Sequence, residues 1–249
     1  MPVESASLGD VDSTCALAGA RPFPTGLRVD MRVVIAGGHG QIALHLERLL
    51  AARAAEPVGI IRNPDQATDL QRIGAVPVVL DLESSAVDQV AAVVTGADAV
   101  VFAAGAGPGS GAARKLSVDR DAAILLADAA EAAGVRRYVM VSAFGADDYD
   151  PNSTEVFQVY LRAKAQADAD LRGRDLDWTV VRPGRLTNSP ATGMVYLGDS
   201  IGGGSVSRED VARVLVHVLD SPLTISRQFR LVGGSTPISD AIAELIGNG

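Results

Sequence analysis

The chain reads as a doubly wound α/β protein, a parallel sheet covered by helices on both faces, and three observations carry that reading. From Met31 onward, short β-branched runs alternate with Ala/Leu-rich amphipathic stretches. A glycine-rich turn, Gly37-Gly38-His39-Gly40, joins the first such run to the first amphipathic stretch. The 249 residues are 47% hydrophobic, enough to bury a full core within a single domain.

The first thirty residues stand apart. Glu4, Asp10 and Asp12 lie among Ser, Gly, Ala and Pro without an apolar period, so 1–30 is expected to be a leader lacking fixed structure and 31–249 the folded domain. Met1 to Ala20 holds no basic residue, which argues against a secretory signal. The first strand is Arg32 to Ala36. Gln41 to Arg53 follows as a helix with Ile42, Leu46, Leu49 and Leu50 on one face. Pro57 to Ile61 is strand two. Asn63 caps the next helix and Pro64 occupies its first turn, where a missing N–H costs nothing. Strand three is Val76 to Leu80, and a helix near Ser85 to Thr95 leads to strand four at Ala99 to Ala103. A loop from Gly105 to Gly111 precedes a long helix over about Lys115 to Ala133, stopped by Gly134. Strand five at Arg137 to Val141, a helix from about Thr154 to Arg172 and strand six at Trp178 to Val181 complete the sheet core. Pro183 to Val206 reads as a short irregular insert that shapes a small or open substrate pocket. After it come a helix opened by Ser207, with Asp210 three residues on, a strand near Gln228 to Val232 and a closing helix from Ser239.

Composition removes several classes of function. With 22 Lys+Arg against 30 Asp+Glu the net charge is −8, a field that repels phosphate backbones and anionic lipid, so neither nucleic acid nor membrane is expected as a partner. The apolar runs are too short for a membrane helix. Cys15 is alone and can form no internal disulfide, in keeping with a reducing cytoplasm. His39, His45 and His217 are scattered with no cysteine beside them, so no metal site is expected. The oligomeric state has no sequence signature here.

The chemistry begins at the glycine turn. Gly37-x-x-Gly40-x-x-Ala43 lies between a strand and a helix: Gly37 permits the tight turn, Gly40 lets backbone approach a pyrophosphate, and Ala43 allows close helix–strand packing. The N–H groups around Gly38, His39, Gln41 and Ile42 open a helix and form an anion site. At the end of strand two, where a carboxylate would accept hydrogen bonds from a ribose 2′-hydroxyl, the chain has Arg62, whose fork-shaped guanidinium suits a 2′-phosphate. NADP(H) is therefore expected over NAD. Asp81 and Leu82 could reach the adenine, and Ala103-Ala104-Gly105 could lie along the dinucleotide where strand four ends.

Together, Gly37-x-x-Gly40-x-x-Ala43, Arg62, Ala103-Ala104-Gly105, the stretch from Val118-Asp119 to Ala130, Ser142, Tyr160-x-x-x-Lys164 and Arg182-Pro183-Gly184 resemble the short-chain dehydrogenase/reductase superfamily. The likeness is to its atypical members, the NAD-dependent epimerase/dehydratase-like and NmrA-like proteins, and it implies a Rossmann fold. It also implies that Tyr160 is a general acid/base, that Lys164 lowers the tyrosine's pKa and holds the nicotinamide ribose, and that Ser142 orients the substrate oxygen. The i,i+4 spacing of Tyr160 and Lys164 supports the pairing independently, since an ammonium beside a phenol favours phenolate. Pro183 and Gly184 are expected to bring backbone near the nicotinamide amide. Extended members usually carry Asn where this chain has Asp119, and a carboxylate near Lys164 would offset its charge. The expected activity is hydride transfer between NADPH and a small carbonyl-type substrate. Two other readings stay open: a non-catalytic NADPH sensor, and a flavin- or biliverdin-reductase-like enzyme that needs no protein acid.

Overall fold

The computed structural model describes residues 31–107 and 109–247. The leader expected over 1–30 lies outside them. β1 (Arg32–Ala36), β2 (Glu56–Ile61) and β3 (Val76–Val79) form one half of the sheet, with α1 (Gln41–Ala51) and α2 (Ala67–Arg72) between them. After α3 (Val87–Val94) come β4 (Ala99–Phe102), α4 (Ala112–Leu116), α5 (Ala122–Ala132), β5 (Arg137–Val141), α6 (Val156–Arg172) and β6 (Asp177–Pro183). The C-terminal part holds β7 (Arg185–Thr187), β8 (Met194–Gly198), β9 (Ser205–Ser207), α7 (Arg208–Asp220), β10 (Arg227–Gly233), β11 (Thr236–Pro237) and α8 (Ile238–Gly247).

The strands run in the order β11-β8-β10-β6-β5-β4-β1-β2-β3, so the chain grows outward from β1 in one direction and from β4 in the other. This is the Rossmann order with an added edge. Both faces are buried, and alternation along the strands assigns side chains to two separate cores. Val33, Ile35, Val101 and Val139 pack with Leu46, Leu50, Val211 and Leu215 of α1 and α7. Val34, Ala36, Val100 and Phe102 pack with Val90, Leu126, Ala127 and Leu171 of α3, α5 and α6. Because each strand serves two apolar layers, its sequence reads as a continuous hydrophobic run.

The long helix before β5 begins earlier than its periodicity suggests, at Ala112. Its turns widen to π geometry over Ser117–Asp121 before α5 continues. That widening seats the buried Asp119 facing the sheet, the setting in which π turns occur at functional sites. The insert after β6 is not irregular. β7 and β9 pair with each other, and β8 pairs antiparallel with β10, extending the main sheet. Ser207 caps α7 by accepting the N–H of Asp210. The Asp210 carboxylate does not reach back to the cap backbone as a capping box would; it accepts the N–H groups of Thr192 (3.0 Å) and Gly193 (2.8 Å), tying the insert to the helix. This long-range role has no sequence pattern, which is why the insert looked unstructured.

Candidate functional site

Between β1 and β4 the chain switches direction, leaving a crevice at the carboxyl ends of the strands where α/β sheets take ligands. The glycine turn forms its floor. Gly37 has a φ of 82°, and a Cβ there would stand 2.6 Å from the Ala104 Cα, so only glycine lets the turn lie against the backbone just after β4. Gly40 opens α1 without a side chain to cap it, leaving the first helical N–H groups available to an anion. The resulting cleft, of about 240 Å³, is lined by Gly37, His39, Gly40, Arg62, Asp81, Leu82, Ala103, Ala104 and Gly105 from the sequence reading. Gly38 is set back from it: its N–H donates to the Ile60 carbonyl at 2.9 Å and its Cα packs on Gly59. Ile42 is turned into the core, and Gln41 lines a separate surface hollow with His45 and Arg48.

Under that floor lies Glu47 of α1, fully buried against Gly38 and Gly59, with neither carboxyl oxygen hydrogen-bonded among the described residues. Burial pushes its pKa up to about 8. It is a neutral acid at ordinary pH, a feature the helical pattern concealed because Glu at that position reads as a surface residue.

At one end of the cleft Arg62 is 57% exposed and lies 3.6 Å from Glu83. The same carboxylate takes two bonds from Arg114 of α4, at 2.7 and 3.4 Å, and one from Ser117 at 2.7 Å. Gln66, Glu83 and Arg114 line the cleft, and none of the three announces itself in the sequence.

The remaining residues do not line this cleft; Lys164 and Asp119 adjoin it through Ala104 and Ala106. Lys164 of α6 points inward, 3% exposed, with its ammonium 3.4 Å from Asp119, 3.2 Å from the Val141 carbonyl and 3.5 Å from that of Ala104. Asp119 also accepts the N–H of Ala106 at 3.2 Å, so this ion pair fastens the loop after β4 to the end of β5. The carboxylate therefore does sit beside Lys164. Tyr160, one turn before Lys164, is held above its ordinary pKa first by burial and then by the Asp119 and Asp168 carboxylates, opposite to the lowering expected from Lys164. Lys115 stands over the Tyr160 ring, 5.2 Å from its centre, and Phe157 packs beside it at 6.0 Å.

Ser142 is buried at the end of β5 and donates its hydroxyl proton to Asp168 at 2.7 Å. Asp168 is fully buried and pairs with Arg182 at 2.8 Å, which in turn meets Asp147. Burial raises the Asp168 pKa against the opposing pull of Arg182 and Ser142. Pro183 and Gly184 have their backbone engaged elsewhere: the Pro183 carbonyl accepts Phe144 N–H at 3.1 Å, and Gly184 N–H donates to Leu231 at 2.8 Å. Among the described residues no cluster of His, Cys, Asp and Glu could hold a metal ion, and no helix is long and apolar enough to cross a membrane.

The turn, the crevice and the residues around it match the NAD(P)H-binding family model over residues 37–222, from Gly37 to just past α7. The chain belongs to this NAD(P)H-binding family. It is 37% identical to the uncharacterized sugar epimerase YhfK of Bacillus subtilis over 216 residues, covering 86% of this chain and all of that protein. The UPF0659 protein YMR090W of Saccharomyces cerevisiae is 33% identical over 86% of this chain and 99% of its own length. Among solved structures, a candidate NAD-dependent epimerase/dehydratase from Bacillus halodurans superposes with a TM-score of 0.79 at 37% identity, over 86% of this chain and all of that one. A short-chain dehydrogenase/reductase from Veillonella parvula in complex with NADP shares the fold, with a TM-score of 0.65 at 19% identity over 83% of this chain and 96% of that one.

Proposed function

We propose that this protein is an NADP(H)-dependent oxidoreductase acting on a small carbonyl-type substrate in the cytoplasm. The observation that carries the reading is the glycine-floored cleft ending on Arg62, a guanidinium where a carboxylate would favour NAD. The residues fit the dinucleotide: Gly37 and the uncapped start of α1 suit its pyrophosphate, Ala103-Ala104-Gly105 its flank, and Arg62 its 2′-phosphate. When bound, the reduced nicotinamide supplies hydride. Tyr160 keeps its proton at neutral pH, since burial and two carboxylates oppose its ionisation. It is thereby suited to donate that proton to an oxygen gaining charge during reduction. Lys164 and Asp119 hold the loop after β4 and the end of β5 in place around it.

A second reading, reduction without a protein acid, is favoured by two commitments: the Ser142 proton goes to Asp168, and Lys164 is neutralised by Asp119. The two differ at Tyr160. The test is calorimetry of NADPH and NADH with the wild type and Arg62→Ala, followed by a screen of carbonyl, quinone, flavin and sugar acceptors. The sugars are included because of the name of the Bacillus subtilis relative. NADPH should bind about 10- to 100-fold tighter than NADH, the worth of a charged hydrogen bond, and Arg62→Ala should reduce that margin while changing NADH affinity little. Equal affinities in the wild type would end the NADP(H) assignment. Tight NADPH binding with no turnover of any acceptor would leave a binding role in place of catalysis.

A further inference from the structure

We infer that Arg114 is a second specificity-determining residue for the dinucleotide's 2′-phosphate, closing with Arg62 around Glu83 as a two-guanidinium clamp. The inference rests on the NADP(H) reading above.

Arg62 directly follows β2 and Arg114 lies on α4, separated by more than fifty residues, yet both line the cleft and both approach the same Glu83 oxygen, at 3.6 and 2.7 Å. Two cations would repel at such proximity; Glu83 is the counter-ion that keeps them together, and Ser117 holds its other oxygen at 2.7 Å. Asp81, the other carboxylate on this rim, is occupied in its own turn, accepting the Glu83 N–H at 3.0 Å. The guanidiniums are not used up by Glu83. Each carries five N–H donors. Arg62 makes an ion pair but no hydrogen bond among the described residues, and Arg114 spends only Nε and one terminal nitrogen. Their exposures of 57% and 37% leave the remaining donors in the open cleft. A phosphomonoester brings roughly −1.5 to −2 charges and three acceptor oxygens, more than one carboxylate can offer two forks. A ligand with only a 2′-hydroxyl gives them nothing comparable.

The alternative is that Arg114 is a strut, present only to anchor α4 to the loop after β3. Calorimetry of the full chain with adenosine 2′,5′-bisphosphate and with 5′-AMP separates the two, because these probes differ only in the 2′-phosphate. The wild type should prefer the bisphosphate at least about tenfold, and Arg114→Ala should lower that preference about tenfold with 5′-AMP affinity unchanged. Glu83→Gln breaks the ion pair but keeps both guanidiniums, so it should retain or increase the preference. Arg114→Met, which keeps the aliphatic stem, replaces Arg114→Ala if the latter does not fold. Equal losses in Glu83→Gln and Arg114→Ala, or an unchanged preference in Arg114→Ala, would make Arg114 a strut. If Arg62→Ala alone abolishes the preference, the clamp fails and the NADP(H) reading stands; if the wild type has no preference, both fail.

Discussion

Glu47→Gln should flatten the pH dependence of this protein's stability. Among the described residues the Glu47 carboxyl has no ion-pair partner and no hydrogen bond, and its pKa rises from an ordinary 4.5 to about 8. In the unfolded chain it ionises near the ordinary value. The folded protein thus binds an extra proton between those limits, and stability attributable to this group falls as pH rises through the window, levelling above about 8. The slope approaches about 1.4 kcal/mol per pH unit, giving a loss of about 3–4 kcal/mol between roughly pH 5 and pH 8. In a protein of this size that corresponds to roughly 10 °C in Tm. Glutamine cannot ionise, although its own buried amide lowers stability by about 1–3 kcal/mol at every pH. The diagnostic is therefore the slope and not the level. Urea unfolding of both proteins across this range measures it. Parallel profiles would refute the assignment of a neutral, buried Glu47.

Other expectations concern the site and the insert. With an accepted carbonyl substrate, Tyr160→Phe should lower turnover by roughly 10²–10⁴ and leave NADPH affinity nearly unchanged, in steady-state rates and calorimetry; full activity would favour reduction without a protein acid. Asp119→Asn removes one of the carboxylates holding the tyrosine proton, so the alkaline limb of the pH–rate profile, where the acid form is lost, should move to lower pH. An unmoved limb would mean that Tyr160 is not the group titrating. Asp210→Ala strips the Thr192 and Gly193 amides of their acceptor and should cost about 2–4 kcal/mol, with new proteolytic cleavage between β7 and β8. Unaltered cleavage would place the insert's anchoring elsewhere.

The fold was legible because its signals are local. Val33, Val34 and Ile35 are apolar in succession, as a strand buried on both faces requires, and Gly37, Gly40, Asn63-Pro64 and Ser207 each mark a turn or cap through their own backbone preferences. The glycine cleft and Arg62 followed from the same local logic. What escaped depends on distant partners. Arg114 gains meaning only through Glu83, thirty-one positions away, and Asp168 only through Ser142 and Arg182. Tyr160 and Lys164 do lie four residues apart on α6, but the sign of the tyrosine's shift is set by its own burial and then by the Asp119 and Asp168 carboxylates, which the spacing does not reveal.

The run Ser142–Asp168–Arg182–Asp147 also bears on how this protein can change. Arg182 is among the largest side chains fully enclosed in the fold, and Asp168 beneath it has no solvent to retreat to. Replacing either alone strands a charge, at a cost of about 3–5 kcal/mol, whereas exchanging both for apolar residues of similar volume is close to neutral. The two positions should therefore be coupled: in a double-mutant cycle, Asp168→Leu with Arg182→Met should recover most of the stability that each single change loses. Additive losses would show the pair to be independent. For a redesign of this buried network the unit of substitution is the pair, and a library varying one residue at a time would find both positions closed to change.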